Sequence, residues 1–321
     1  MASDIDREHM LRAVALAETG RYTAHPNPLV GAVVIDVDGA VVGEGFHLAP
    51  GEGHAEALAL AAAGDRARGG TLYVTLEPCA HHGRTPPCAD AVVASGVARV
   101  VVAIGDPDTR VAGEGLTRIR SAGIEVEVGV GSVETAQQNR DYLHHRRTGL
   151  PWVVLKLAVS VDGLASADDG TSRWITGESA RADVHRLRAE ADAVMVGSGT
   201  FLADDPQLTC RLEDYRGPQP LRVVMDRRGR VDERDGWLAL RGTLKEALED
   251  LGRRGVVRLL VEGGPTLAAA FTADGLVDEY VSYIGPVALS GAPTIGAAPR
   301  LDLVDVARFG DDVRLTWEAR R

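Results

Sequence analysis

Short runs of apolar, often β-branched residues, at positions 30–37, 71–76, 100–104, 152–161, 193–196 and 256–261, alternate along this chain with longer amphipathic stretches. That alternation is the signature of layered α/β architecture, and it excludes a β-sandwich or a helix bundle. At 321 residues the chain exceeds a typical single domain, so about two are expected. The expected boundary lies at Leu150-Pro151, where a helical run with a basic end stops and a new strand starts at Trp152. The spacing therefore predicts domains over 1–148 and 149–321.

In the first part the pattern predicts a helix over 5–19 and a hairpin of strands 30–37 and 41–47 turning at Asp38-Gly39. A helix begins near His54, a strand covers 71–76, and Cys88 opens a helical run over 89–95 that Gly96 ends. Strands at 100–104 and 124–128 follow, then one closing helix over 133–147. In the second part, strand 152–161 leads to a helix at 179–191 and a strand at 193–196. Helices are also expected over 244–251 and 267–271, flanking strand 256–261.

Composition narrows the partners. Acidic residues outnumber basic ones 46 to 35, for a net charge of -11, which speaks against a broad nucleic-acid-binding face and for a small-molecule substrate. Three cysteines cannot build a disulfide framework, so a reducing cytoplasm is the expected home. The N-terminal residues lack the basic start and apolar core of a signal peptide, and no apolar run reaches the length of a membrane span.

The chemistry concentrates between His54 and Cys88. His54-Ala55-Glu56 is followed by Pro78-Cys79, an eight-residue spacer and Cys88. Three such ligands leave the fourth position of a tetrahedral zinc open for water, which is the mark of a catalytic site. Glu56 is then available to move protons. A thiolate just before a helix benefits from the positive end of the helix dipole, and Cys79 and Cys88 are both expected there. Residues two apart on a regular helix do not share a face, so spacing alone does not make His54 and Glu56 converge. The plainer alternatives are two core cysteines with a surface His and Glu, or a structural zinc whose fourth ligand is His81 or His82. Cys210 is left as an ordinary thiol.

The His-x-Glu and Pro-Cys pattern resembles the zinc nucleobase deaminases. The stretch Glu77-Pro78-Cys79-Ala80-His81-His82-Gly83-Arg84-Thr85-Pro86-Pro87-Cys88 resembles more narrowly the bifunctional riboflavin-biosynthesis deaminase/reductase family, as do Pro26-Asn27-Pro28-Leu29-Val30-Gly31 and Asp106-Pro107. The resemblance implies a cytidine-deaminase-like three-layer domain followed by a dihydrofolate-reductase-like α/β domain. It implies a zinc held by His54, Cys79 and Cys88, with Glu56 catalytic. It also implies a pocket of Asn27, His47, His81, Arg84 and Asp106 for a diaminopyrimidinone carrying ribose 5-phosphate. Their chemistry agrees, since an amide and a carboxylate bind hydroxyls or ring nitrogens while an arginine grips phosphate. Taken singly, Arg84 reads equally as a solvated loop charge and His47 as a strand-end residue. The chain departs from the family text at Asp108-Thr109, where Asn-Pro is common, and at Glu114, where a basic residue is common.

The resemblance resumes in Lys156-Leu157-Ala158, Ser160-Val161-Asp162-Gly163, Ser172-Arg173-Trp174-Ile175-Thr176, Leu202-Ala203-Asp204-Asp205-Pro206 and Val261-Glu262-Gly263-Gly264-Pro265-Thr266. It implies NADPH contacts at Ala158, Trp174, Thr200, Asp204, Gly264, Pro265, Thr266, Leu267, Ala268, Ala269 and Ala270. It implies substrate contacts at Ser172, Arg188, Leu208, Arg211 and Glu262. Independently, Gly197-Ser198-Gly199-Thr200 and Gly263-Gly264 are glycine-rich turns between strand and helix, which present backbone N–H groups to phosphate. They read equally as tight turns. Arg188 competes as an exposed arginine paired with an acid on its own charged helix, and Trp174 as core.

Between Asp226 and Gly255 the family usually has a longer segment with a further strand. Here a short charged run is expected to have lost it. Arg227, where a serine is usual, and Arg228 beside it suit a 2′-phosphate or plain solvation. Two functions follow. One is a bifunctional enzyme that deaminates 2,5-diamino-6-ribosylamino-4(3H)-pyrimidinone 5′-phosphate and then reduces its ribosyl group with NADPH. The other keeps the deaminase and makes 149–321 a non-catalytic binding or assembly module. A homo-oligomer is compatible with either.

Overall fold

The computed structural model describes residues 3–80, 87–108, 113–165, 175–232, 234–289 and 301–320. The chain forms two compact units, Met1–Thr148 and Gly149–Arg321.

The first unit contains α1 (Asp4–Ala17), β1 (Gly31–Ile35), β2 (Val41–Phe46), α2 (Ala55–Ala63), β3 (Thr71–Leu76), α3 (Cys88–Ser95), β4 (Arg99–Ile104), α4 (Glu114–Ser121), β5 (Glu125–Val128), α5 (Ser132–Gln138) and α6 (Arg140–Thr148). Its sheet runs β2-β1-β3-β4-β5, with β1 antiparallel to β2 and β3, and β3, β4 and β5 parallel. Successive side chains of a strand face opposite sides. Ala32, Val34, Leu72, Val74, Val100 and Val102 accordingly pack on α2, α3 and α4, while Val33, Tyr73 and Val101 pack on Met10 and Ala13 of α1. This is the three-layer arrangement expected.

Two glycines let backbone approach backbone where the site is built. A Cβ at Gly45 of β2 would lie 2.3 Å from the Ala55 carbonyl oxygen, so glycine brings the start of α2 down onto the hairpin. A Cβ at Gly115 would lie 1.9 Å from the Pro78 oxygen, so glycine seats α4 against the chain leaving β3.

One expectation fails here. The closing helix over 133–147 is two helices, interrupted at Asn139. The buried Asn139 side chain accepts from the Leu29 amide at 2.7 Å and donates to the Leu29 carbonyl at 3.0 Å, a tertiary pairing that outweighs helix continuity.

The second unit contains β6 (Trp152–Ser160), α7 (Glu178–Glu190), β7 (Ala193–Gly197), α8 (Ser198–Asp204), β8 (Leu221–Met225), β9 (Trp237–Leu240), α9 (Leu244–Arg253), β10 (Arg258–Val261), α10 (Pro265–Ala273), β11 (Glu279–Gly285), β12 (Leu301–Phe309) and β13 (Asp312–Ala319). The sheet order is β12-β13-β11-β6-β10-β7-β8-β9, parallel from β11 to β9 with β12 and β13 antiparallel. Both faces carry a buried core. The run after Asp226 has not lost its strand. β9 pairs in parallel with β8 through four residues, so only the connections are short. Parallel strands place all their carboxyl ends on one edge, where ligands of such sheets bind.

Candidate active sites

In the first unit, His54, Cys79 and Cys88 bring their ligand atoms within 4.8 Å of one another. His54 Nδ1 lies 3.1 Å from Cys88 Sγ and 3.7 Å from Cys79 Sγ. A tetrahedral zinc with bonds of about 2.0–2.3 Å places its ligand atoms roughly 3.3–3.8 Å apart, so the three donors fit that ion. His54 is the residue before α2, in extended conformation at φ -75° and ψ 154°, and Glu56 lies in the first turn. The chain bends between them, and that bend is how residues two apart come to serve one site.

Cys88 opens α3 as expected. Cys79 lies in the loop after β3 and accepts the Cys88 backbone N–H at 3.3 Å, so both sulfurs use the start of α3. The Cys79 thiol is held down to about 4, chiefly by the hydrogen bond from Cys88 and further by His54, against its burial. Cys88, the donor of that pair, is pushed up. Glu56 is 3% exposed, and burial raises its carboxyl to about 7, poised to take and give a proton.

Asn27 and His47 join this site. The His47 ring stands edge-on to the His54 ring, 5.6 Å between centroids. The Gly53 carbonyl, 3.3 Å from His47 Nδ1, can only accept, so Nδ1 carries the hydrogen and Nε2 accepts from Asn27 Nδ2 at 3.0 Å. Burial lowers the His47 pKa and keeps the ring neutral. Asp106 follows β4, the strand beside β3, and so reaches the same edge as Cys79. Its half-buried carboxyl is raised by desolvation and receives the Tyr142 hydroxyl at 3.3 and 3.2 Å. His81 and Arg84 lie outside the described residues.

Sequence reasoning missed Glu77, Tyr142 and Arg146. Glu77 is buried, and its carboxylate accepts the backbone N–H groups of Gly113 and Gly115 at 3.1 Å each, Leu116 at 3.3 Å and Asp106 at 3.4 Å. An acidic residue directly after an apolar strand was the available signal.

In the second unit, Arg188 and Glu262 meet in a two-point ion pair at 2.6 and 2.9 Å, and Arg188 also donates to the Thr209 carbonyl at 3.1 Å. Arg188 is thus not an exposed arginine paired on its own helix; its partner comes from the end of β10. Lys156 Nζ approaches Glu262 at 3.8 Å, and Arg211 bonds Thr209 Oγ1 at 3.3 Å. His185 accepts from the Arg211 amide at 3.2 Å. Lys156 and His185 were also missed, although a lysine inside an apolar strand was legible. Arg188 and Lys156 hold the Glu262 carboxyl low against its burial, while burial lowers Lys156.

The turn after β7 and the turn after β10 adjoin, since a Cβ on Gly264 would lie 3.4 Å from Thr200 Oγ1. No side chain caps the start of α10, so its N–H groups remain available to phosphate, and glycine keeps the approach open. These features fit a dinucleotide. Ala158 and Ala269 are half-buried, Asp204 is exposed at the end of α8, and Pro265 and Thr266 are exposed. Leu267 and Ala270 pack against the core. Two expected contacts turn inward instead: Ala268 is fully buried, and Leu208 is 3% exposed at φ 52° with its side chain in the core, because their flanking elements need apolar anchors. Arg227 and Arg228 are exposed. Ser172 and Trp174 lie outside the described residues.

Two family models match the chain. The family model of the cytidine and deoxycytidylate deaminase zinc-binding region matches residues 3–104, and that of the RibD C-terminal domain matches residues 151–315. The riboflavin biosynthesis protein RibD of Escherichia coli K12 is 41% identical over 361 residues, covering 97% of this chain and 98% of its own. A structure of Acinetobacter baumannii RibD superposes with a TM-score of 0.93 at 40% identity, covering 99% of each chain. A Thermotoga maritima structure described as a diaminohydroxyphosphoribosylaminopyrimidine deaminase/5-amino-6-(5-phosphoribosylamino)uracil reductase gives 0.89 at 32% identity, covering 98% of this chain and 99% of its own. With similarity running through both units, a non-catalytic second half is not favoured, and this chain belongs to the RibD family of riboflavin biosynthesis proteins.

Proposed function

We propose that this chain hydrolytically deaminates 2,5-diamino-6-ribosylamino-4(3H)-pyrimidinone 5′-phosphate in its first unit and reduces the ribosyl group to ribityl with NADPH in its second. The observation that carries the reading is the convergence of His54, Cys79 and Cys88 beside a buried Glu56. A zinc held by the three ligands supplies the Lewis acidity that makes water nucleophilic near neutral pH. Glu56 takes the proton of that water and delivers it to the departing ammonia, a transfer suited to a carboxyl raised to about 7. Asn27, with neutral His47 behind it, and Asp106 orient the pyrimidine and ribose by hydrogen bonds, while His81 and Arg84 belong to the same pocket.

In the second unit NADPH supplies the hydride. Thr200, Asp204 and the turn at Gly264 hold it, with Ala158, Trp174 and the first turns of α10. Glu262 accepts from substrate hydroxyls. Arg188 uses three of its five N–H donors on Glu262 and Thr209, leaving two that, with Arg211 and Ser172, face the sugar phosphate. Among the described residues no helix is long and apolar enough to cross a membrane. The reading places the enzyme in the cytoplasm, where the metal-binding thiols stay reduced, with no nucleic-acid partner. Metal analysis, ammonia release and NADPH oxidation on the pyrimidine phosphate test it together. Zinc-loaded protein that releases no ammonia would overturn the first half, and deamination without ribityl product would overturn the second.

A further inference from the structure

We infer that Tyr142 is the positioning residue of the deaminase pocket: from α6 its hydroxyl fixes the Asp106 carboxylate in place for the substrate, within a ring completed by Asp108 and Arg146. The inference rests on the reading of Asp106 as a substrate contact.

The ring is built from four contacts. The Tyr142 hydroxyl lies 3.3 Å from Asp106 Oδ1 and 3.2 Å from Oδ2, so it bridges both oxygens. The Asp108 amide donates to Asp106 Oδ1 at 2.9 Å. Arg146, one turn beyond Tyr142 on α6, lies with its guanidinium carbon 5.0 Å from the centre of the Tyr142 ring. Its Nε is 3.7 Å from Asp108 Oδ2. The departure from the family text at Asp108 thereby finds its counter-charge, since two neighbouring carboxylates repel unless a cation faces one of them.

Packing alone would be satisfied by a phenylalanine, because Tyr142 is 5% exposed and its ring is core. The hydroxyl is what the site adds. An aspartate side chain left to itself samples several rotamers, and a half-buried one also tends to protonate. The bridging hydroxyl opposes both tendencies. The charged and titratable groups around Asp106 are Tyr142 and Arg146 from α6, Asp108 from its own loop, and Glu77 beyond β3, which accepts the Asp106 backbone N–H.

The placement of α6 supports a positioning role. The interruption at Asn139 gives α6 a start of its own, and the same Asn139 grips Leu29, two residues from Asn27. One helix start therefore holds the segments carrying both Asn27 and Asp106.

The test uses the full chain with zinc bound and the pyrimidine ribose phosphate as substrate. In Tyr142→Phe the KM for deamination should rise roughly tenfold, as befits one hydrogen bond to a charged group, with kcat changed less than about twofold. Zinc content, and NADPH oxidation by the second unit on the already deaminated substrate, should not change. Asp106→Ala should raise KM at least as much, and adding Tyr142→Phe to it should cost little more, because the hydroxyl then has nothing to hold. Arg146→Gln should raise KM by a smaller factor and serves if Tyr142→Phe folds poorly. An unchanged KM in Tyr142→Phe, or full additivity with Asp106→Ala, would overturn the inference. An unchanged KM in Asp106→Ala would instead overturn the reading of Asp106 itself.

Discussion

The Glu77 carboxylate accepts the backbone N–H of Gly115 at 3.1 Å, and through it the end of β3 is fastened to the start of α4. Glu77 stands two residues before Cys79, and its other oxygen receives Gly113 and Asp106. The proposed metal ligand Cys79 and the proposed substrate residue Asp106, which follow the neighbouring strands β3 and β4, are thus indexed by one buried carboxylate. Glu77→Ala leaves several amides without their acceptor and should destabilise the first unit by about 3 kcal/mol. Thermal unfolding checks this, and a melting temperature equal to that of the unaltered chain would refute it.

The metal ligands make a sharper test. Cys88→Ser removes a thiolate from a three-ligand set and should lose most of the zinc, counted per chain by elemental analysis, along with ammonia release. Chelation of the unaltered protein should do the same. NADPH oxidation on the already deaminated substrate should persist in both cases, because the residues proposed for the second site all lie in the second unit. Full zinc and full turnover in Cys88→Ser would remove Cys88 from the site.

Glu56 should separate from its neighbours. Because its proposed role is proton transfer, Glu56→Gln should keep zinc and lose on the order of 10² to 10⁴ in deamination rate. Loss of zinc in parallel would make Glu56 a ligand instead.

In the second unit the space at Gly264 is occupied by nothing larger than hydrogen. Gly264→Val would drive a side chain toward Thr200 Oγ1, 3.4 Å from where even its Cβ would lie, and into the cofactor's approach. NADPH binding, followed by the change in nicotinamide fluorescence, should weaken at least tenfold while ammonia release continues. Unaltered NADPH affinity would show that the cofactor does not pass this turn.

Much was settled by sequence, because the signals are local. Alternation of apolar runs located the strands of the first sheet and, in the second, β6, β7 and β10, and β3 begins and ends where its pattern does, at Thr71 and Leu76. Gly96, at φ 76°, ends α3 as a glycine after a helical run should. Type and order of His54, Glu56, Cys79 and Cys88 named the chemistry. What the sequence could not decide depends on partners distant along the chain. Asn139 reads as an ordinary helical residue until Leu29, 110 positions away, is placed beside it. Arg188 on α7 reads as a surface charge until Glu262 arrives from the end of β10. Glu77 and Tyr142 gain their roles only once β3, β4, α4 and α6 share one edge, since a buried hydrogen bond is specified by where two elements meet and periodicity records only which face of an element is apolar.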